Sequence, residues 1–258
     1  MHIEPLIEAA HAGGKILKNY FGQILDITVK SNPSDFKTRA DDESEQAVIE
    51  VLTKHFPDYN ILGEESGTID KGSEYTFVID PLDGTNNFVL GIPTFCVSIG
   101  LIKGDEIIAG VIYAPMLDLT FSAQIGEGAF CNETKIQVSS VTEEKNGTIS
   151  LCGYYGISPE LWGSMFKNLA MGGFKRVMNQ WCPTYDFCML ASGKIESMVN
   201  YGSELYDFCA GKIIAREAGA VITNLDGTPE ENDRNRMFMA SNNNQIQQSI
   251  IQSLKFIK

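Results

Sequence analysis

The sequence is short of the groups that most hydrolases use as nucleophile or base. Its three histidines, His2, His11 and His55, all fall in the first quarter of the chain, so histidine general-base or phosphohistidine chemistry has no evident carrier near the other candidate groups. His55 falls in the last turn of an expected helix, where capping accounts for it. There is no G-x-S-x-G elbow and no G-x-x-x-x-G-K-[ST] loop. Gly126-Glu127-Gly128 follows an expected strand without the rest of a dinucleotide fingerprint, and is read as a turn.

Basic residues are scarce as well. Lys and Arg number 20 against 33 Asp and Glu, a net charge of −13 (20 − 33). With no basic block, nucleic acid is excluded as a partner. A small phosphorylated substrate stays compatible, because bound cations reverse the local sign of an acidic site. The six cysteines, Cys96, Cys131, Cys182, Cys188, Cys209 and Cys152, form no C-x-x-C pair and mostly sit in apolar surroundings, which points to buried free thiols in a reducing compartment. No apolar run approaches membrane-spanning length, and residues 1–22 lack the basic flank and apolar stretch of a leader. A cytoplasmic protein with no membrane partner is expected. The triplets Asn132-Glu133-Thr134 and Asn146-Gly147-Thr148 are chance glycosylation matches in that setting.

What is present is ordered along the chain. Leu6, Ile7, Ala10, Ile16, Leu17 and Phe21 keep helical spacing, as do Ala47, Val48, Val51, Leu52 and Phe56. Asp42 with Glu45 predicts a capping box for the second helix, and Pro57 lies past its end. From Asn60 the pattern turns to strands at 61–62, 76–79, 94–102, 107–113 and 120–125, with a hairpin turn at 103–106. Two helices followed by consecutive strands predict an α+β layer with an antiparallel sheet. Beyond a polar stretch at 139–147 strands and helices alternate: strands at 149–152, 174–178, 194–199, 221–222 and 237–240, helices within 159–171, at 184–192 and 207–218, and a closing helix. At 258 residues the chain fits one unit of two subdomains, 1–142 as an α+β part and 143–258 as an α/β part.

The chemistry concentrates at Asp80-Pro81-Leu82-Asp83-Gly84-Thr85, two carboxylates and a hydroxyl around a glycine turn directly after the apolar run Phe77 to Ile79. Carboxylates this close repel one another, and a divalent cation is the natural means of keeping both ionised. Gly63-Glu64-Glu65-Ser66 adds another acidic pair, Asp41 opens one helix and Tyr206-Asp207 another. Asn224-Leu225-Asp226-Gly227-Thr228 is a plain turn by contrast. No His or Cys set fits zinc, and all-oxygen donors suit a hard divalent cation.

Together these residues resemble the inositol monophosphatase family of metal-dependent, lithium-sensitive sugar phosphatases. The carriers are Val78-Ile79-Asp80-Pro81-Leu82-Asp83-Gly84-Thr85-Asn86-Asn87-Phe88 and Tyr206-Asp207-Phe208-Cys209-Ala210-Gly211 with Arg216-Glu217-Ala218-Gly219. Leu62 to Ser66 and Lys37 to Asp41 support them. The second stretch has Tyr206 where the family usually has Trp. The resemblance implies a layered αβαβα fold and two or three Mg²⁺ ions. Glu64, Asp80 and the Leu82 carbonyl would hold one, and Asp80, Asp83 and Asp207 a second, with a third near Glu64. It implies phosphate on the backbone N–H groups of Gly84 and Thr85, water oriented by Thr85 and Glu64 with Asp41 bonded to Thr85, and a homodimer.

On the substrate side the resemblance points to Asp207, Pro183 and Asn200. Here the pattern departs from the family. Asn200 stands where inositol-hydrolysing members carry a Glu, Trp181-Cys182-Pro183-Thr184 replaces a run of small residues, and Tyr154 and Tyr155 stand where small residues are common. The expected activity is hydrolysis of a small phosphomonoester that need not be inositol phosphate. Fructose 1,6-bisphosphatase or histidinol-phosphatase activity, a phosphoadenosine nucleotide substrate, and a non-catalytic regulatory role on the same fold are the alternatives. A haloacid-dehalogenase-type phosphatase fits less well, because its two aspartates are separated by one residue, and Asp80 and Asp83 by two.

Overall fold

A computed structural model describes residues 2–23, 27–29 and 36–257. The helices are α1 (Glu4–Tyr20), α2 (Arg39–His55), α3 (Thr85–Val89), α4 (Pro159–Met171), α5 (Pro183–Ala191), α6 (Leu205–Glu217) and α7 (Asn244–Leu254). The strands β1 (Ile27–Val29) and β2 (Phe36–Thr38) form a small ribbon. The first main sheet uses β3 (Asn60–Gly63), β4 (Gly67–Ile69), β5 (Tyr75–Asp83), β6 (Cys96–Lys103), β7 (Glu106–Ala114), β8 (Leu119–Gln124), β9 (Gly128–Cys131) and β10 (Thr134–Ile136). The second uses β11 (Thr148–Gly153), β12 (Arg176–Met178), β13 (Ser197–Tyr201), β14 (Val221–Asn224) and β15 (Met237–Ser241).

The first sheet runs β10-β9-β8-β7-β6-β5-β3-β4. It is antiparallel as expected, with one exception: β3 and β5 pair in parallel because β4 returns as a hairpin at the edge before β5 begins. The second sheet, β12-β11-β13-β15-β14, is mixed. Its β11 pairs in parallel on both sides, and β15 pairs antiparallel with β13 and β14.

Alternation of side chains along the strands decides what each sheet face meets. Phe77, Ile79, Ile99 and Leu101 pack against Leu6, Ala10, Val48 and Leu52 of α1 and α2. On the opposite face Val78 and Ile112 pack against Cys188 of α5 and Cys209, Ile213 and Ile214 of α6. Those two helices turn Phe187, Phe208 and Ala215 to Met198 and Phe238 of the second sheet. The far face of that sheet, with Ile149, Leu151 and Met239, is covered by Met165 and Leu169 of α4 and Ile246 and Ile250 of α7. The result is five layers, αβαβα, with α5 and α6 buried in the middle.

Close approach of α6 to the first sheet depends on absent side chains. A Cβ at Gly100 would overlap Cys209, and one at Gly110 would overlap Ala210 and Ile213. The second helix begins earlier than its sequence suggests. Thr38 is its N-cap, and the capping box pairs Thr38 with Asp41 rather than Asp42 with Glu45; the buried Glu45 carboxylate instead accepts from the backbone N–H of Glu65 at 3.0 Å. No described helix is long and apolar enough to cross a membrane.

Candidate active site

Strand β5 does not stop where its apolar run ends. It continues through Asp80 and Asp83, so both carboxylates lie within the strand rather than in a turn after it. The register against β6 shows how they share a face: Asp80 lies opposite Ser98 and Asp83 opposite Cys96, three steps on one strand against two on the other. This is a β-bulge. In a regular strand, residues three apart point to opposite faces, and the extra residue brings Asp83 back to the side of Asp80. That side is Val78's, toward α6.

Helix α6 supplies the third carboxylate. Asp207 is the N3 residue of a capping box with Glu204, accepting from the Glu204 N–H at 2.7 Å. Its second role follows from position at the helix start: oxygens of Asp80, Asp83 and Asp207 lie within 4.8 Å of one another. Burial raises all three carboxyls above their ordinary range, and their mutual repulsion together with Glu64 adds to it at Asp80 and Asp207. Asp83 is pushed up to about 7 by burial, against hydrogen bonds from the Thr184 N–H (2.7 Å), the Thr184 hydroxyl and the Cys182 thiol (3.2 Å). A set of oxygen donors held together at this cost fits a hard divalent cation, which would offset desolvation and repulsion together.

The loop after Asp83 turns on Gly84, whose φ of +89° is the left-handed region. A side chain here would also crowd the Thr94 carbonyl and Cys182. Thr85 then opens α3. Its hydroxyl lies 2.9 Å from the Leu82 carbonyl and 3.4 Å from Asp41. One hydroxyl proton serves one acceptor, and the geometry favours Leu82, so the expected Thr85–Asp41 bond is the longer of the two. Asp41 is buried and pushed up to about 7 by desolvation, with two bonds from Thr38 opposing and Glu64 and Glu65 adding to the rise.

These groups face a cleft of about 900 Å³. Glu64, Asp80, Leu82, Asp83, Gly84, Thr85, Pro183 and Asp207 all line it. Asp41 sits just behind Thr85. Asn200 is the exception and corrects the sequence reading: it is fully buried in β13, donating to the Arg236 carbonyl at 3.0 Å and accepting from the Ser203 hydroxyl at 2.7 Å. It supports Ser203, which lines the cleft.

Several residues support the site in roles that the sequence does not mark. Thr184 and Cys182 hold Asp83. Ser44 donates to the Pro81 carbonyl at 2.9 Å and fixes the bulge from α2. Asp186, pushed up to about 6 by burial, receives bonds from Ser150 and Gln180, each at 2.6 Å. Cys152 and Cys182 both reach the cleft, yet burial drives their thiols well above the ordinary value, so neither is a ready thiolate.

The comparisons with known proteins agree with this geometry. The sequence model of the inositol monophosphatase family matches residues 2–258. A fructose-1,6-bisphosphatase/inositol-1-monophosphatase of Aquifex aeolicus is 37% identical over 227 residues, covering 86% of this chain and 84% of that one. An inositol-1-monophosphatase of Mesorhizobium japonicum is 30% identical over 254 residues, 97% of this chain and 94% of its own. Among solved structures, the extragenic suppressor protein suhB of Bartonella henselae superposes with a TM-score of 0.92 at 28% identity, over 99% of each chain.

Proposed function

The chain belongs to the inositol monophosphatase family, and on that footing we propose that it is a Mg²⁺-dependent hydrolase of small phosphomonoesters. The observation that carries the reading is the convergence of Asp80, Asp83 and Asp207 on one point, with Glu64 and Thr85 lining the same cleft. Glu64, Asp80 and the Leu82 carbonyl would hold one ion, and Asp80, Asp83 and Asp207 another. When bound, Mg²⁺ supplies Lewis-acid polarisation of the phosphate and compensates charge on the departing alkoxide.

The protein's own groups do the rest. Gly84 and Thr85 offer backbone N–H groups to the phosphate oxygens, placing phosphorus beside the acidic cluster. The Thr85 hydroxyl, anchored by Leu82 and backed by Asp41, orients the attacking water together with Glu64. Attack is direct, without a phosphoenzyme. The three histidines lie outside the cleft lining, and the two thiols that reach it are held protonated by burial. Asp207 and Pro183 border the leaving-group side.

A phosphate-release assay with and without Mg²⁺ tests the reading. Turnover that requires Mg²⁺ and is inhibited by Li⁺ is the expected result; turnover that survives thorough chelation excludes it. No turnover of any phosphomonoester would favour a non-catalytic role on this fold. The homodimer is a separate part of the proposal, checked by light scattering of the purified protein.

A further inference from the structure

Part of the acidic cleft is faced with rings. Tyr154, Tyr155 and Trp181 line it and are 42%, 55% and 56% exposed, and the exposed Leu90 lines it too. Exposed apolar side chains are ordinary when scattered. Four lining one acidic cleft are not scattered, and three of them are aromatic.

Their placement is fixed rather than incidental. Trp181 has a φ of +58°, a conformation unfavourable for a bulky L-residue and retained only where the surroundings impose it. Bonds on either side impose it here. Asn179 donates to the Leu151 carbonyl at 2.8 Å and accepts from the Trp181 N–H at 3.3 Å. Gln180 donates to Asp186, and its carbonyl accepts from Asn87 at 2.8 Å. The next residue, Cys182, donates to Asp83, so the indole is tied by one peptide to the carboxylate cluster. Tyr154 fills the space that a side chain at Gly202 would need, and the Tyr155 hydroxyl accepts from Asn86 of α3 at 3.1 Å. Among the described residues, no other ring stacks on Tyr154 or Trp181.

The polar side chains in the lining are largely engaged: Asn179 donates to Leu151, Asp186 accepts from Ser150 and Gln180, Ser203 donates to Asn200, and Glu204 pairs with Arg236. Asn200, the residue in place of an inositol-binding carboxylate, is buried away from the cleft. Lys37 is the one basic side chain among the described lining residues, and it is engaged by Asp42 at 2.6 Å and Glu65 at 2.8 Å. A polyhydroxylated ring would find few matching partners and a second phosphate no spare cation. A flat ring would find faces to stack on.

The geometry points to a phosphomonoester whose leaving alcohol carries a planar aromatic ring, stacked on Trp181 with Tyr154 and Tyr155 beside it. This rests on the phosphatase reading above and assigns its substrate class. The test uses the full chain with saturating Mg²⁺ and three alkyl phosphates with leaving groups of similar basicity: 2-phenylethyl, 2-cyclohexylethyl and glycerol 1-phosphate. The phenyl ester should exceed the cyclohexyl ester by about tenfold in kcat/KM, as one or two ring stacks provide.

In Trp181→Gly, where glycine adopts the same φ without strain, that ratio should fall toward one, and Trp181→Phe should retain most of it. Binding is read separately by tryptophan emission. Titration with 3-phenylpropylphosphonate, a non-hydrolysable isostere, should change emission saturably in the wild type but not in Trp181→Phe, which keeps only Trp162. A phenyl-to-cyclohexyl ratio near one with glycerol phosphate turned over overturns the inference and leaves the phosphatase reading intact. No turnover of any ester with the saturable emission change present overturns hydrolysis and leaves aromatic recognition standing.

Discussion

Asp83 makes more protein contacts than the other two clustered carboxylates, and those contacts arrive from α5, far along the chain. Replacing it with Asn keeps the shape and the possibility of a bond from Thr184 while removing a charge and a donor oxygen. We expect Asp83→Asn to lose several kcal/mol of transition-state stabilisation, about 10³-fold in kcat. The thermal shift on adding Mg²⁺ to the folded protein should shrink with it; a variant that keeps both rate and shift would remove Asp83 from the ligand set. Thr85→Ala takes away the hydroxyl anchored on Leu82 and should slow turnover by about 10²-fold with KM nearly unchanged. A steady-state comparison in which the loss appears in KM alone would assign Thr85 to binding only. At this scale legibility follows contiguity. Asp80 to Thr85 stand out because six neighbours in sequence carry one chemistry. Thr184, Cys182 and Asp186 do not, since a hydroxyl, a thiol and an acid on a helix have many bland uses and only folding brings them to β5. Asn200 misleads because both faces of β13 are covered by helices, so alternation along the strand does not mark which side is open.

Elements decide whether those residues meet, and here the decisive device is the bulge in β5. The sequence marks it only by Pro81, which gives up a ladder hydrogen bond. Long helices with clear periodicity, α1, α2 and α6, are legible within a few residues, whereas the three-residue strands β4 and β10 and the short β9 escape notice, having too few positions to show a period of two. The start of α2 is obscured because Asp42 and Glu45 imitate the box that Thr38 and Asp41 form. Helix α6 carries Asp207 to the site only if its body lies close on the first sheet. Gly110→Ala puts a methyl against Ala210 and Ile213 and should cost about 1–3 kcal/mol as overpacking. That predicts a melting temperature several degrees lower, and weaker Mg²⁺ stabilisation because Asp207 moves with the helix. An unchanged melt would mean that the helix has slack at this crossing.

The whole molecule pays for its function by burying acids between the two sheets, in a chain that is already strongly negative, and that burden has a pH signature. Asp186 gives the clearest measure, because it lies in the middle layer with neutral hydrogen-bond donors, Ser150 and Gln180, as partners. Burial raises its folded-state pKa to about 6 from an ordinary value of 3.8. A raised folded-state value means that its stabilising share is fully present below the unfolded value, near 4, and is lost as pH rises through about 6. A tenfold change in acidity corresponds to about 1.4 kcal/mol, so the burial costs about 3 kcal/mol at pH 8 relative to pH 4. Asp186→Asn stays neutral throughout and keeps one acceptor for the same donors. Its unfolding free energy, measured by denaturant titration in chelator, should therefore rise relative to the wild type by about 2–3 kcal/mol between pH 4 and pH 8, whatever the offset at either end. Asp41, raised to about 7, adds a loss of the same sign in the wild type that the variant shares and the difference cancels, whereas Asp83, whose carboxyl the Asp186 charge helps to raise, reinforces the difference. A wild-type-minus-variant difference that stays flat across that range would show that Asp186 ionises as freely as in the unfolded chain, through water entering from the cleft it borders.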